Sequence, residues 1–169
     1  RATPSASHQR FHPILVRAVV VALERIFIDQ QYADKVIGSV LQSNPKAGSR
    51  DRAFIAETTY DVVRYYRLFT EILGRTPKKE SDFWEITAIY FLTRHLRHPE
   101  EEPVELPEWK ELRNVKPEHV LAKYQMVSAQ RAVRESIPDW IDERCAAELG
   151  DKWEPTLHQL NRPAEVVLR

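Results

Sequence analysis

Residues 48–73 read GSRDRAFIAETTYDVVRYYRLFTEIL, and this stretch decides the fold class. Ile55, Thr59, Val62, Tyr66, Phe69 and Leu73 recur at alternating four- and three-residue steps, which places them on one face of a helix. Ser49 stands ahead of the pattern as an N-cap, and Asp51 puts a carboxylate in the first turn, where the helix dipole favours it. Arg52, Glu57, Asp61, Arg64 and Arg67 take the opposite side, with Asp61 and Arg64 spaced to pair. The pattern predicts one continuous helix over 48–73, stopped by Gly74 and Pro77. A helix this long with so regular a seam is the central member of a bundle.

The same period extends to both sides. Leu15, Ala18, Val19, Ala22, Leu23, Ile26 and Phe27 mark an amphipathic helix within 11–30, and Val36, Ile37, Val40 and Leu41 a shorter one over about 32–41. Asn44-Pro45 and Gly48 break the second. After Ser81 or Asp82 as cap, Phe83, Ile86, Ala88, Ile89, Tyr90 and Leu92 are apolar nearly all round, which predicts a helix in the bundle's interior. Residues 99–108, rich in Pro and Glu, read as a loop, and Pro117 suits the first turn of a helix carrying Val120, Leu121 and Tyr124. Residues 127–135 either continue that helix or form a turn of their own. Ser136 and Asp139 have capping-box spacing ahead of a helix that ends at Leu149-Gly150, and a further helix covers about 152–160. Residues 165–169 (EVVLR) are β-branched and predict a short strand, the start of a truncated second domain; residues 1–10 read as a disordered lead-in.

The chain has 169 residues, 43% hydrophobic and 30% charged, which suits one domain with a real core, or one domain plus a fragment of the next. No apolar run approaches the roughly 20 residues of a membrane span. One cysteine, Cys145, excludes an internal disulfide and accords with a cytoplasmic setting. The chain opens on Arg1 with no signal-peptide pattern, so its start reads as cropped. The zero net charge conceals two opposed halves. Residues 1–79 hold thirteen Lys and Arg against seven Asp and Glu, a net of +6, and residues 80–169 carry −6. Either the halves attract one another in the fold, or the basic half meets an anionic partner.

Catalytic signals are missing. The four glycines, Gly38, Gly48, Gly74 and Gly150, are scattered, whereas a dinucleotide or S-adenosylmethionine loop needs them clustered. There is no Walker motif and no CxxC pair, and Cys145 reads as a small core residue. His95 and His98 precede Glu100–Glu102, a pattern better explained by a solvated helix end than by a metal site. Binding remains. Arg10, Arg17 and Arg25 decorate the first helix, Arg50, Arg52, Arg64 and Arg67 the long one, and Lys78 and Lys79 follow. Arginine-rich helical faces neutralise phosphates, and Tyr65 beside Arg64 is placed either to stack on an unpaired base or to lie on the core margin.

Two stretches resemble known families. Residues 22–68, with Asp51, Arg52 and Phe54 opening the central helix, are similar to a NusB-type helical domain. Residues 135–169, through Pro138-Asp139-Trp140, Leu149-Gly150, Trp153 and the 161–169 run, resemble the connector that precedes the catalytic region of RsmB/Sun-type RNA cytosine-5 methyltransferases. The resemblance implies an all-α NusB-like bundle over 11–135, a helical connector over 136–160 and the start of a methyltransferase region at 161–169. It implies an RNA-binding domain that orients ribosomal or transfer RNA for an intramolecular catalytic domain. S-adenosylmethionine is then the parent enzyme's cofactor, with no cofactor in this fragment and neither DNA nor membrane as partner. Cys145 matches neither catalytic cysteine motif, and the basic N-terminal arginine motif of NusB is represented only by Arg1, Arg10 and nearby histidines. A free-standing NusB-like RNA- and protein-binding factor in antitermination or ribosome assembly is the rival reading, and a purely structural domain the third.

Overall fold

The computed structural model describes residues 11–162; the lead-in, Arg10 and the strand expected at 165–169 lie outside them. Among the described residues the fold is all-helical: α1 (Pro13–Phe27), α2 (Ala33–Gln42), α3 (Ser49–Arg64), α4 (Tyr66–Leu73), α5 (Glu80–Arg97), α6 (Pro117–Val127), α7 (Arg131–Arg134), α8 (Asp139–Leu149) and α9 (Trp153–Asn161). Helices α1, α2 and α3 pack on one another, and α5 packs against α1, α3, α4, α6 and a 3-10 turn at Lys110–Leu112. Every residue from Asp82 to Thr93 except Glu85 is buried, as its all-round apolar sequence predicts. The buried Thr87 and Thr93 hydroxyls donate to the carbonyls of Phe83 and Ile89, so neither is left unpaired in the core.

The expected single helix over 48–73 is two helices. Tyr65 leaves helical geometry (φ −106°, ψ 24°) and ends α3, and α4 begins at Tyr66. Val62-Val63 and Tyr65-Tyr66 are weak helix formers, so the local cost of a break is small. The break lets two segments face different neighbours: α3 packs on α1 and α2, while α4 packs on α5 and α6. The seam survives across it, with Ile55, Thr59, Val62 and Phe69 fully buried and Tyr66 and Leu73 on the core margin. Gly74 ends α4 in the left-handed region (φ 77°), as anticipated.

Three caps differ from expectation. Gly48, with no side chain to bond, is the N-cap of α3, and Ser49 is already helical. Pro138 caps α8 instead of Ser136; Ser136 has a φ of 56°, and its Oγ accepts the backbone N–H of Arg67 at 3.0 Å. Helix α5 starts after Lys79, two residues ahead of the earlier of its expected caps. Asp82 sits in its first turn, where its Oδ2 accepts the N–H groups of Lys78 and Lys79 at 2.9 and 3.3 Å. Residues 131–134 form a separate short helix, and 101–109 are irregular, as a Pro/Glu-rich loop should be.

Asp82 is a buried carboxylate in this core, 3% exposed. Arg75 donates to its Oδ1 at 2.8 Å and also reaches Glu85. Burial by itself pushes the Asp82 carboxyl up, but the Lys78 N–H, the Arg75 guanidinium and the Lys79 N–H together outweigh it and hold it below the usual carboxylate range. A carboxylate depressed in the fold stabilises above its unfolded pKa of about 3.9, and that stabilisation is lost as pH falls through the folded value. Asp82→Asn should therefore cost about 1–3 kcal/mol near neutral pH, and the gap from wild type should narrow below about pH 4. Urea unfolding of both proteins across that range checks it; a gap that is constant with pH would assign the loss to packing.

Candidate nucleic-acid interface

Beside the break between α3 and α4 lies a groove of about 760 Å³ lined by Phe27, Val63, Arg64, Tyr66, Arg67 and the 136–139 segment. Its aromatic wall is made by Phe27 and Tyr66, stacked with ring centroids 3.6 Å apart, and Phe27 also stacks toward Phe83 at 6.3 Å. Burial pushes the Tyr66 hydroxyl above its ordinary value, so it stays a neutral donor near pH 7. The groove thus sets a partly buried aromatic pair beside an arginine, a pairing of residue types found where single-stranded nucleic acid is bound.

Of the predicted basic residues, Arg64 and Arg67 meet at this groove. Arg67 is fully engaged there: it donates to the Ile137 carbonyl and to Asp139 Oδ1, the latter at 2.7 Å, and so ties α4 to the start of α8. Arg64 makes no ion pair among the described residues and lies 5.8 Å from the Tyr65 ring. Arg50 and Arg52 stand at the opposite end of α3, roughly 20 Å away along its axis at about 1.5 Å per residue. Arg52 donates to the Leu41 carbonyl at 3.1 Å and so closes the C-terminal end of α2. Arg25 holds Gln31 and Ser39, while Arg17, Arg50, Lys78 and Lys79 are exposed. Arg10 lies outside the described residues.

Charge neutralisation is uneven. Among the described residues Arg67 is the single predicted basic residue that pairs with a carboxylate; the bonds of Arg25 and Arg52 go to neutral oxygens and leave their charge uncompensated. In the C-terminal half Arg94, Arg131, Arg134 and Arg144 each pair with an acid. The Arg131 guanidinium bonds both Asp142 oxygens, at 2.7 and 3.1 Å, and holds that carboxyl low against the opposing effect of burial, with the Trp153 indole N–H adding a further bond. Asp61 does not pair with Arg64; its Oδ2 accepts the Tyr90 hydroxyl at 3.1 Å, and Arg94 donates to the same hydroxyl.

Tyr65 faces the protein. Arg97 lies 4.6 Å from its ring centroid, 5.3 Å from Phe69 and 5.5 Å from Tyr90, a guanidinium boxed by three aromatic faces. All three Arg97 nitrogens are buried without an acceptor among the described residues. Burial raises the hydroxyls of Tyr65, Tyr90 and Tyr124 around it, with Arg97 opposing in each case. Sequence reasoning missed this box, although Tyr90, Arg94 and Arg97 recur at helical spacing. It also missed a cleft of about 370 Å³ whose α6 wall carries Lys116, His119 and Lys123 over an Ile72–Ile89 floor. No three His, Cys, Asp or Glu side chains among the described residues are grouped to hold a metal. No family model, curated protein or solved structure matches the chain.

The aromatic box tests what Arg97 contributes. Replacing a buried, unbonded charge by an apolar side chain of similar length is neutral or stabilising. Arg97→Met should melt at or above the wild-type temperature, whereas Arg97→Ala, which empties the space, should cost about 2–4 kcal/mol. Thermal unfolding decides: a Met variant as weak as the Ala variant would show that the cation itself holds the three rings.

Proposed function

We propose that this chain is an RNA-binding domain, NusB-like in its helical arrangement, that recruits or orients ribosomal or transfer RNA for the catalytic region of an S-adenosylmethionine-dependent cytosine-5 methyltransferase. The observation that carries the RNA reading is the uncompensated charge of the basic half. Arg17, Arg25, Arg50, Arg52 and Arg64 have no carboxylate partner among the described residues, while Arg94, Arg131, Arg134 and Arg144 of the acidic half are paired with acids. Charge left unneutralised on helical surfaces releases counterions from a polyanion when it docks. The groove beside Arg64 supplies an aromatic wall against which an unpaired base could rest. The methyltransferase context rests on the sequence resemblance of residues 22–68 and 135–169, and in this reading residues 161–169 begin the catalytic region. The chemistry, with its cofactor, is assigned to that region; this chain holds RNA backbone while the base is turned out elsewhere.

The binding site divides between the two ends of α3, so the test removes one charge from each. Arg50 and Arg64 are the suitable pair, because changing Arg52 would also uncap α2. Fluorescence anisotropy with a labelled structured RNA, at about 50 to about 200 mM salt, should show affinity falling steeply with salt. Arg50→Glu with Arg64→Glu should weaken binding and lower the slope of log affinity against log salt by about 0.9 for each phosphate that is no longer neutralised. Absence of binding at the lowest salt would favour a purely structural domain, and an unchanged slope would remove these arginines from the interface.

A further inference from the structure

Helix α1 turns six residues into the core, Val16, Ala18, Val19, Val20, Ala22 and Leu23. Its opposite face mixes charged residues with exposed apolar ones. Ile14 is 74% exposed, Val21 37% and Ile28 41%, and Ile28 keeps helical backbone at the C-cap. These three lie seven residues apart, so they follow one another along the outermost line of the helix, drifting about 20° per step. Three β-branched side chains at seven-residue steps make a narrow apolar line, not the two-position apolar repeat of a full coiled-coil seam. Arg17 and Glu24 flank the line on one side. They are about 10 Å apart along the axis at about 1.5 Å per residue, too far to pair with each other. Neither has an ion-pair partner among the described residues.

We propose that this face binds a second copy of the chain, with the two α1 helices antiparallel across a two-fold axis at Val21. The spacing is self-complementary about that point. Ile14 lies seven residues before Val21 and Ile28 seven after, so each Ile14 meets the partner's Ile28 and Val21 meets its own symmetry mate. Arg17 lies four residues before the axis and Glu24 three after, on the same flank, so each Arg17 meets the partner's Glu24. A two-fold contact forms that pair twice. On the other flank Arg25 meets the partner's Ala18, so no like charges are opposed, and Arg25 is already held by Gln31 and Ser39. The drift of the apolar line is accommodated by the roughly 20° crossing of paired helices. A contact confined to one helix face is at the small end of specific interfaces, so the dimer is weak and concentration-dependent.

Sedimentation velocity on the whole chain, from about 1 to about 500 µM, reads the association directly. The weight-average mass should rise from 19.8 kDa towards twice that value. Val21→Glu should keep the protein monomeric throughout with an unchanged melting temperature, since the position is outside the core. Arg17→Glu should raise the dissociation constant by about tenfold or more, and Arg17→Glu combined with Glu24→Arg should restore it, because the swap recreates both pairs in this register alone. A wild-type chain that remains monomeric, a dimer indifferent to Val21→Glu, or a swap as weak as the single reversal would overturn the proposal. None of these readouts involves RNA, so they stand or fall apart from the binding function.

Discussion

The fold depends on the burial of one long helix on nearly all its sides. An 18-residue helix sealed from Asp82 to Thr93 needs neighbours in every direction. Helices α1, α3, α4 and α6 and the turn at Lys110–Leu112 supply them. The aromatic contacts trace the enclosure: Phe91 touches Phe11 and nears Phe54, Phe83 meets Phe27, and Tyr90 meets Phe69 edge-on. Such a helix can carry few polar groups: its buried threonines back-bond and the Asp82 knot closes its start, while Arg97 at its end keeps three buried nitrogens with no acceptor among the described residues. The break at Tyr65 goes with a change of neighbours, since α3 packs mainly on α1 and α2 and α4 on α5 and α6.

Much of the bundle was legible because helical burial is periodic. The seam from Ile55 to Leu73, the greasy face of Phe83–Leu92, the Gly74 stop and the Pro117 start all rest on local rules, and each recurs in the structure. The break at Tyr65 was hidden because the seam keeps its spacing through it. The caps were misplaced by a residue or more because N-cap preference is a small term: Gly48 and Pro138 serve without any side-chain bond.

The candidate site was less readable, since it depends on contacts between distant parts of the chain. Nothing near Arg67 in sequence points to Asp139, 72 residues away, and Arg52 shows no local sign of its bond to Leu41. Burial of Arg97 could not be foreseen from a helix end that looks solvated. What did carry over is the charge contrast between the halves. Attraction between the halves accounts for little of it. Apart from the local Arg75 pairs with Asp82 and Glu85, Arg67–Asp139 is the one ion pair among the described residues that joins residues before 80 to those after.

Helix α8 buries no residue of its own. It is braced instead by charged and indole bonds: Arg131 and Trp153 on Asp142, and Arg67 on Asp139, while Trp153 and Leu157 of α9 supply the nearby apolar anchor outside the main core. Its attachment draws on Coulomb attraction as well as on excluded water, and ionic strength screens the one while leaving the other nearly intact. The described residues so show two kinds of cohesion: a bundle closed by buried apolar side chains, and a C-terminal helix pair whose hold also rests on charge pairs. Raising the ionic strength therefore weakens the seating of α8 while leaving the bundle's apolar core nearly unchanged.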